Sequence, residues 1–400
     1  QNIENITFKE MSNKKKIGIM TFWESNDNYG QQLQCWALQQ VLIKMGHNPF
    51  LIRYQWTTSK EPFKRKLKLV LKQIIADVMR VSKLDRVDGI RKKLSGVYRE
   101  ETIQREFPKF KSKYIRKSRK IYYNYGELKK NPPQADIYIT GSDQVWNYQK
   151  SSDDLAAYFL QFGEHNIRRI SYAPSVAHSS YPNELLDTLQ TYLHTFHAIS
   201  VREKSAVEIC RSVGYEAQVV VDPTLLLSPQ QYLEIASKKE LTESIFIYSI
   251  NYTSENELPL SDIRAYARDT NKSIIVTPSS GYIKSTELFD SVIYEYSTIP
   301  QWLSRIAHAS LVVTASFHGI VFSILFHRPF IFTPLQGENS AGNARVYDLL
   351  DTLGLKSYVW NNESNFISLI NKEIDWSSVE AKLAMLRQAS YQFLQKAINE

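Results

Sequence analysis

The chain has 400 residues, 43% of them hydrophobic, which is enough for two buried cores. It contains no uncharged apolar run of about 18 residues, which excludes a membrane-spanning helix, and residues 1–16 lack the apolar core of a signal peptide. Its two cysteines, Cys35 and Cys210, lie too far apart in sequence to indicate a disulfide framework or a metal site. We therefore expect a soluble cytoplasmic protein of two domains.

The formal net charge of +8 is unevenly distributed along the chain. Residues 60–130 hold about 23 lysines and arginines against about 8 acidic residues. Residues 63–75 combine an apolar face with clustered lysines, which fits a solvated surface helix, the interpretation we favour, or a helix on anionic lipid. We predict a helical insertion at about residues 57–130; the alternative interpretation adds a peripheral contact of residues 60–130 with the inner face of an anionic membrane. No nucleic-acid partner is expected, because no zinc spacing or nucleic-acid motif occurs.

The first half of the chain alternates apolar strands with amphipathic helices, which is the order of a parallel α/β unit. The predicted elements are strands at 17–22, 49–54, 136–140, 168–173, 198–202 and 219–221, and helices at 31–46 and 203–213. Asn28, Tyr29 and Gly30 occupy the first strand-to-helix corner, and Ser142 and Asp143 follow the strand at 136–140. Because ligands of α/β sheets bind beyond the carboxyl ends of the strands, we predict that both corners face a ligand.

After residue 228 the same alternation begins again. Strands are predicted at 245–250, 273–277, 291–294 and 311–314, and helices at 261–270, 299–309, 345–353 and 377–398. This pattern indicates an α/β fold with two Rossmann-like domains. We assign residues 14–225 to an N-terminal domain that carries the insertion, residues 226–376 to a C-terminal domain, and residues 377–400 to a terminal helix.

The strand at 311–314 leads directly into a turn that contains Ser316, His318 and Gly319, and an apolar helix follows. Histidine at such a corner is a candidate general acid, because its side chain exchanges protons near neutral pH. Ser316 can donate to a phosphate or cap the helix. No Walker A or G-x-G-x-x-G sequence occurs, so the sequence does not support a dinucleotide or ATP site of the known kinds.

Six short motifs in order resemble the polysaccharide pyruvyl transferase family. They are NYGxxLQxxAL at 28–38, GSDQVWN at 141–147, SYA at 171–173, SVRE at 200–203, VDPT at 221–224 and SFHG at 316–319. The resemblance implies two Rossmann-like lobes that face each other across a cleft, as in GT-B glycosyltransferases. It also implies transfer of a pyruvyl group from phosphoenolpyruvate (PEP) to a sugar of a surface polysaccharide or its lipid-linked precursor, usually as a cyclic ketal, with PEP as co-substrate and no cofactor or metal.

The resemblance further implies that Arg202 and His318 contact PEP. Some relatives carry an arginine two residues before that histidine, where this chain has Ser316, and Arg345 could supply the missing charge. His318 would protonate the PEP methylene carbon, and Asp143 is our candidate for the base that accepts the proton of the acceptor hydroxyl. The remaining candidate substrate-binding residues are Gly319, Asn28, Tyr29, Gly30, Ser142 and Trp146, the last of which could stack on a sugar face.

Two alternatives stay open from the sequence. A GT-B nucleotide-sugar glycosyltransferase would use the same cleft, and binding of PEP or of a nucleotide sugar separates the two enzymes. In a non-catalytic glycan-binding protein, Ser316 would mark the position where an anion site has been lost. Asp222, followed by Pro223, is predicted to serve turn structure rather than catalysis.

Overall fold

A computed structural model describes residues 14–23, 28–55, 105–239, 241–279, 287–361, 363 and 365–400. The strands are β1 (Lys16–Met20), β2 (Asn48–Tyr54), β3 (Lys117–Tyr122), β4 (Ile137–Thr140), β5 (Arg168–Ser171), β6 (Ser200–Val201), β7 (Gln218–Val219), β8 (Ser244–Ser249), β9 (Ser273–Pro278), β10 (Ile293–Tyr294), β11 (Ala309–Thr314) and β12 (Phe330–Phe332). The helices are α1 (Tyr29–Lys44), α2 (Phe107–Tyr114), α3 (Tyr125–Lys130), α4 (Ser152–Tyr158), α5 (Leu186–Leu193), α6 (Lys204–Ser212), α7 (Pro229–Ile235), α8 (Leu260–Asp269), α9 (Ile299–Ala307), α10 (Phe317–Leu325), α11 (Ala344–Leu353), α12 (Phe366–Ile370) and α13 (Trp376–Asn399).

Two five-stranded parallel sheets form the frame of the molecule. Their strand orders are β3-β2-β1-β4-β5 and β10-β9-β8-β11-β12, so each half shows the 3-2-1-4-5 order of a Rossmann fold. The central strands are apolar and buried on both faces, as parallel sheets covered by helices require. The predicted α/β class with two Rossmann-like domains is therefore confirmed.

The two domains share one continuous apolar core, which includes Ile19 of β1 and Ile247 of β8. Tyr29 lies at this junction, where its ring stacks on Trp302 of α9 with centroids 5.0 Å apart and its hydroxyl donates to the Ser297 carbonyl. These contacts bring the beginning of α1 against the C-terminal domain. The two domains thus pack against each other at the beginning of α1.

The described part of the predicted insertion differs from the all-helical prediction. Residues 117–122 form β3, which pairs in parallel with β2 at the edge of the first sheet. The helical prediction was wrong there because this strand carries several basic, exposed side chains, as edge strands often do, and so lacks an apolar alternation. Residues 56–104, with most of the predicted membrane contact, lie outside the described residues, and that contact stays a prediction.

Helix α13 packs back across the first domain instead of standing apart. Arg387 donates to the Leu225 carbonyl at 2.6 Å, and the Ser390 hydroxyl accepts from the Val221 backbone at 3.0 Å. Across the described ranges, none of the helices combines the length and the apolar composition that a bilayer crossing requires.

Candidate active site

Four strands end at one place between the domains, and each is followed by a polar side chain. Ser142 follows β4, Arg202 follows β6, Asp222 lies three residues beyond β7, and His318 lies in the first turn of α10 after β11. β4 and β11 belong to the two large sheets, while β6 and β7 pair with each other in a small parallel sheet, so three sheets contribute their carboxyl ends. The fold therefore brings together residues that are widely separated in sequence.

Asp222 is the centre of a buried polar network in this site. Its Oδ2 atom accepts a hydrogen bond from Arg202 Nη1 at 2.9 Å and from the Ser142 hydroxyl at 2.8 Å. Its Oδ1 atom accepts from the backbone N–H of Thr224 at 3.0 Å and from the Thr224 hydroxyl at 2.6 Å. The carboxylate side chain is fully buried, so its charge depends on these partners.

The surroundings of Asp222 keep it ionised. Burial by itself raises the pKa of a carboxyl group. The charges of His318 and Arg202, together with the hydrogen bond from Thr224, outweigh burial and hold the pKa of Asp222 far below its ordinary value. Burial likewise opposes the charge of Arg202, but Asp222 and Glu203 outweigh it and raise the pKa of Arg202.

His318 reaches this network from the C-terminal domain. Its Nε2 atom lies 3.6 Å from Asp222 Oδ2, which is within ion-pair range but too long for a hydrogen bond. The other side of its ring packs directly against Gly30 of α1, where a Cβ atom would lie 2.0 Å from His318 Nδ1. Glycine at position 30 therefore makes room for the imidazole of the opposite domain.

A second arginine approaches the site on helix α11. Arg345 donates through its Nε atom to the Gly342 carbonyl, and the amide oxygen of Gln144, turned toward it, accepts from Nη1 at 2.8 Å and Nη2 at 3.1 Å. The guanidinium carbons of Arg202 and Arg345 lie 4.5 Å and 5.9 Å from the ring centre of Phe317. Burial lowers the pKa of Arg345, and the positive charge of Arg202 lowers it further.

Several buried donors in this site have no hydrogen-bond partner among the described residues. They are the Nε and Nη2 atoms of Arg202 and the Nε2 atom of His318. Buried polar groups without partners are costly, and at an enzyme site they indicate atoms that a ligand satisfies. Cationic donors that converge in this way suit a phosphate or a carboxylate.

Two carboxylates border these donors. Glu203 accepts from the Ser175 hydroxyl and the Ala177 N–H through Oε1, while its Oε2 atom lies 3.7 Å from Arg202 Nε. Asp143 accepts from the Gln144 N–H at 2.8 Å and adopts φ 79°, ψ −179°. This backbone region is almost restricted to glycine and costs about 1–3 kcal/mol, which marks position 143 as functionally constrained.

Four of the predicted site residues make packing or helix-capping contacts. Tyr29 and Trp146 are at most 1% exposed, the first in the interdomain core and the second stacked on Phe159. Both side chains are packed in the interior, and their predicted contact with the acceptor stays a prediction. Ser316 accepts from the Gly319 N–H at 3.2 Å as the cap of α10, and Asn28 caps α1 in the same way.

Gly319 lies in the same turn, where close packing requires a glycine. A Cβ atom at this position would come within 2.7 Å of Thr314 Cγ2, so the helix could not approach β11 as closely with a larger residue. His318, Arg202, Arg345, Ser142, Asp143 and Gly30 do gather at the site, and their roles in catalysis and binding stay predictions.

The sequence analysis did not assign Asp222, Glu203, Gln144 or Phe317 to the site. Three of them directly adjoin residues that were assigned, and the fourth begins an Asp-Pro turn. In the described part of the chain, no three His, Cys, Asp or Glu side chains group in a way that could hold a metal ion.

Comparison with protein families gives a match over most of the chain. A family model described as polysaccharide pyruvyl transferase matches residues 28–335. No curated protein sequence matches the chain.

Solved structures give distant similarities. The UDP-GlcNAc 2-epimerase of Methanocaldococcus jannaschii is 13% identical, with a TM-score of 0.49 over 93% of this chain and 99% of that one. Acinetobacter baumannii MurG is 11% identical, with a TM-score of 0.42 over 95% and 98% of the two chains. The UDP-N-acetylglucosamine 2-epimerase of Rickettsia bellii is 11% identical, with a TM-score of 0.41 over 96% and 98%. Similarities this weak imply nothing about the substrate of this chain.

Proposed function

Because the chain belongs to the polysaccharide pyruvyl transferase family, we propose that it transfers the pyruvyl group of PEP to a sugar and forms a pyruvate ketal. The acceptor sugar belongs to a surface polysaccharide or to its lipid-linked precursor. The observation that carries the proposal is the set of buried, unpartnered donors on Arg202 and His318. PEP offers both a phosphate and a carboxylate to such donors.

In this proposal Arg202 and Arg345 bind the anionic groups of PEP. Arg202 presents its free Nε and Nη2 atoms, a pair that suits bidentate contact with a carboxylate or phosphate. Arg345 comes from α11 and is held by Gln144 of the other domain. It thus supplies positive charge where Ser316 provides only a helix cap.

His318 acts as the general acid. A proton moves from its Nε2 atom to the methylene carbon of PEP, which becomes the methyl group, and the acceptor hydroxyl oxygen forms a bond to C2. The C2–O bond to the phosphate then breaks, and the second hydroxyl closes the ketal. One of the two hydroxyl protons restores His318, and the other leaves on the phosphate as hydrogen phosphate.

Asp143 is the group we propose as the base for the first hydroxyl. Asn at position 143 keeps a side-chain oxygen for the Gln144 N–H but cannot accept a proton. We therefore expect Asp143→Asn to lower kcat by about 10²-fold while PEP still binds. Steady-state assays and calorimetric PEP titration measure the two effects. If kcat of this variant equalled that of the wild type, a group other than Asp143 would be the base.

The test of the proposed function combines ligand binding with turnover. PEP at a hundred times its Kd should raise the stability of the folded protein by about 2.7 kcal/mol, which thermal unfolding detects. His318→Gln should keep most of this shift while pyruvyl transfer, followed by mass spectrometry of the glycan, falls by about 10²–10⁴-fold.

The matched control for this test is His308→Gln, at an exposed histidine at the end of α9. Its transfer rate should equal that of the wild type. A thermal shift with UDP-sugars and none with PEP would reject the pyruvyl transferase proposal and support a glycosyltransferase. No shift with either ligand, together with no transfer, would reject both enzymes.

A further inference from the structure

Asp222 has two distinct sets of contacts, one on each carboxylate oxygen. Oδ1 accepts both hydrogen bonds from Thr224 and thereby caps the turn that begins at Pro223. Oδ2 is turned the other way, toward Arg202, Ser142 and His318. A turn needs only the first set, so the second set requires a separate explanation.

The second set joins the two domains at the proposed acid. Asp222 and Arg202 belong to the N-terminal domain, and His318 is carried by α10 of the C-terminal domain. Oδ2 lies 3.6 Å from His318 Nε2, and no hydrogen bond to Nε2 competes with it in the described chain. An anion at this distance in a buried site interacts strongly with a protonated imidazole.

We propose that Asp222 is a positioning residue: its Oδ2 atom, 3.6 Å from Nε2, orients the His318 imidazole and places a negative charge beside the proton that Nε2 transfers. The proposal rests on the proposed function, because it assigns to Asp222 a task in the same reaction. The Asp222 side chain is fully buried. It acts through His318 and, by bracing Nη1, through Arg202.

The charges around His318 favour this assignment. The cations Arg202 and Arg345 lie at the same site and disfavour a third positive charge, while the anions Glu203 and Asp143 act on Arg202. Among these groups Asp222 is the one that forms an ion pair with His318. Its pKa stays far below neutrality, so it is an anion throughout the working pH range.

The experiment is the pH dependence of kcat/KM for pyruvyl transfer in the wild type and in Asp222→Asn. Asparagine keeps an oxygen for Thr224 and so preserves the turn, but it removes the negative charge. We expect the alkaline limb of the profile, which reports the protonated acid, to move to lower pH by about one unit. At neutral pH kcat should fall at least about tenfold.

For a second variant, Ser142→Ala, we expect the alkaline limb to shift in the opposite direction. Ser142→Ala removes one hydrogen-bond donor from Oδ2 and leaves the carboxylate charge less neutralised. The alkaline limb should then move to higher pH. This variant decides the matter if Asp222→Asn does not fold, because it leaves both contacts with Thr224 in place.

Thr224→Val serves as the comparison, since it removes a donor from Oδ1, the oxygen turned away from His318. It should lower the free energy of unfolding and move the alkaline limb by less than Ser142→Ala does. If the wild type transfers pyruvate and the limb is unchanged in both Asp222→Asn and Ser142→Ala, the positioning role is rejected while the proposed function stands. If the wild type neither binds PEP nor transfers pyruvate, the proposed function itself fails.

Discussion

Replacing Arg202 by methionine is expected to lower the free energy of unfolding by about 3–5 kcal/mol and to abolish stabilisation by PEP. The arginine side chain is 3% exposed and pairs with an Asp222 side chain that is fully buried. Methionine fills a similar volume but leaves the carboxylates of Asp222 and Glu203 without their shared cation. The penalty of an uncompensated buried charge is much larger than the value of an exposed ion pair.

The pH dependence of this loss has a definite sign. The pKa of Asp222 is lower in the folded protein than in the unfolded chain, where it is about 3.9. Its contribution to stability is therefore fully present above the unfolded value and is lost as the pH falls toward the folded value. The difference between wild type and Arg202→Met should be constant near neutrality and should shrink below about pH 4.

Urea unfolding at several pH values, with and without PEP, measures both parts of this prediction. The control is Arg211→Met in α6, where an exposed arginine pairs with the exposed Glu208 and little change is expected. If Arg202→Met were as stable as the wild type, the network around Asp222 would not be held by charge. If PEP still stabilised the variant, Arg202 would not be one of the groups that bind PEP.

The fold could be predicted from the sequence because its central strands are apolar and its helices have a regular apolar spacing. Apart from β3, the strands of the first sheet follow directly from that alternation, as do β8 to β11 of the second. Strand β3 escaped prediction because an edge strand need not bury its side chains, and Lys117–Tyr122 is mostly basic. The C-terminal helix was predicted, but its packing across Val221 and Leu225 depends on tertiary contacts that no local pattern contains.

The site was predictable only in part, for a related reason. Motifs mark which corners face a ligand, but the direction of each side chain depends on where the helix begins. Because α1 begins at Tyr29, this tyrosine points into the interdomain core and Gly30 faces the site. Asp222 was assigned to a turn because an Asp-Pro pair indicates a turn, and only the structure shows that its second oxygen has other partners.

Replacing Gly30 by alanine should reduce pyruvyl transfer by about 10²-fold, although alanine is a better helix former than glycine. The added Cβ atom would lie 2.0 Å from Nδ1, 2.3 Å from Cγ and 2.6 Å from Cε1 of His318. No methyl group fits at these distances, so either the imidazole or the whole C-terminal domain must move. A displacement of about 1 Å is enough to misalign a proton donor with its carbon.

The same substitution should also lower the free energy of unfolding by about 1–3 kcal/mol, as expected for an overpacked interface. Gly126→Ala is the matched control, because it lies in the first turn of α3 on an exposed surface, where its nearest neighbour would be Asn124 Oδ1 at 3.3 Å. That variant should be as active as the wild type and as stable or slightly more so. Wild-type transfer in Gly30→Ala would mean that the domains can separate without cost and that the contact between Gly30 and His318 does not align the acid. A loss of transfer with an unchanged PEP affinity would instead place the whole effect on the alignment of His318.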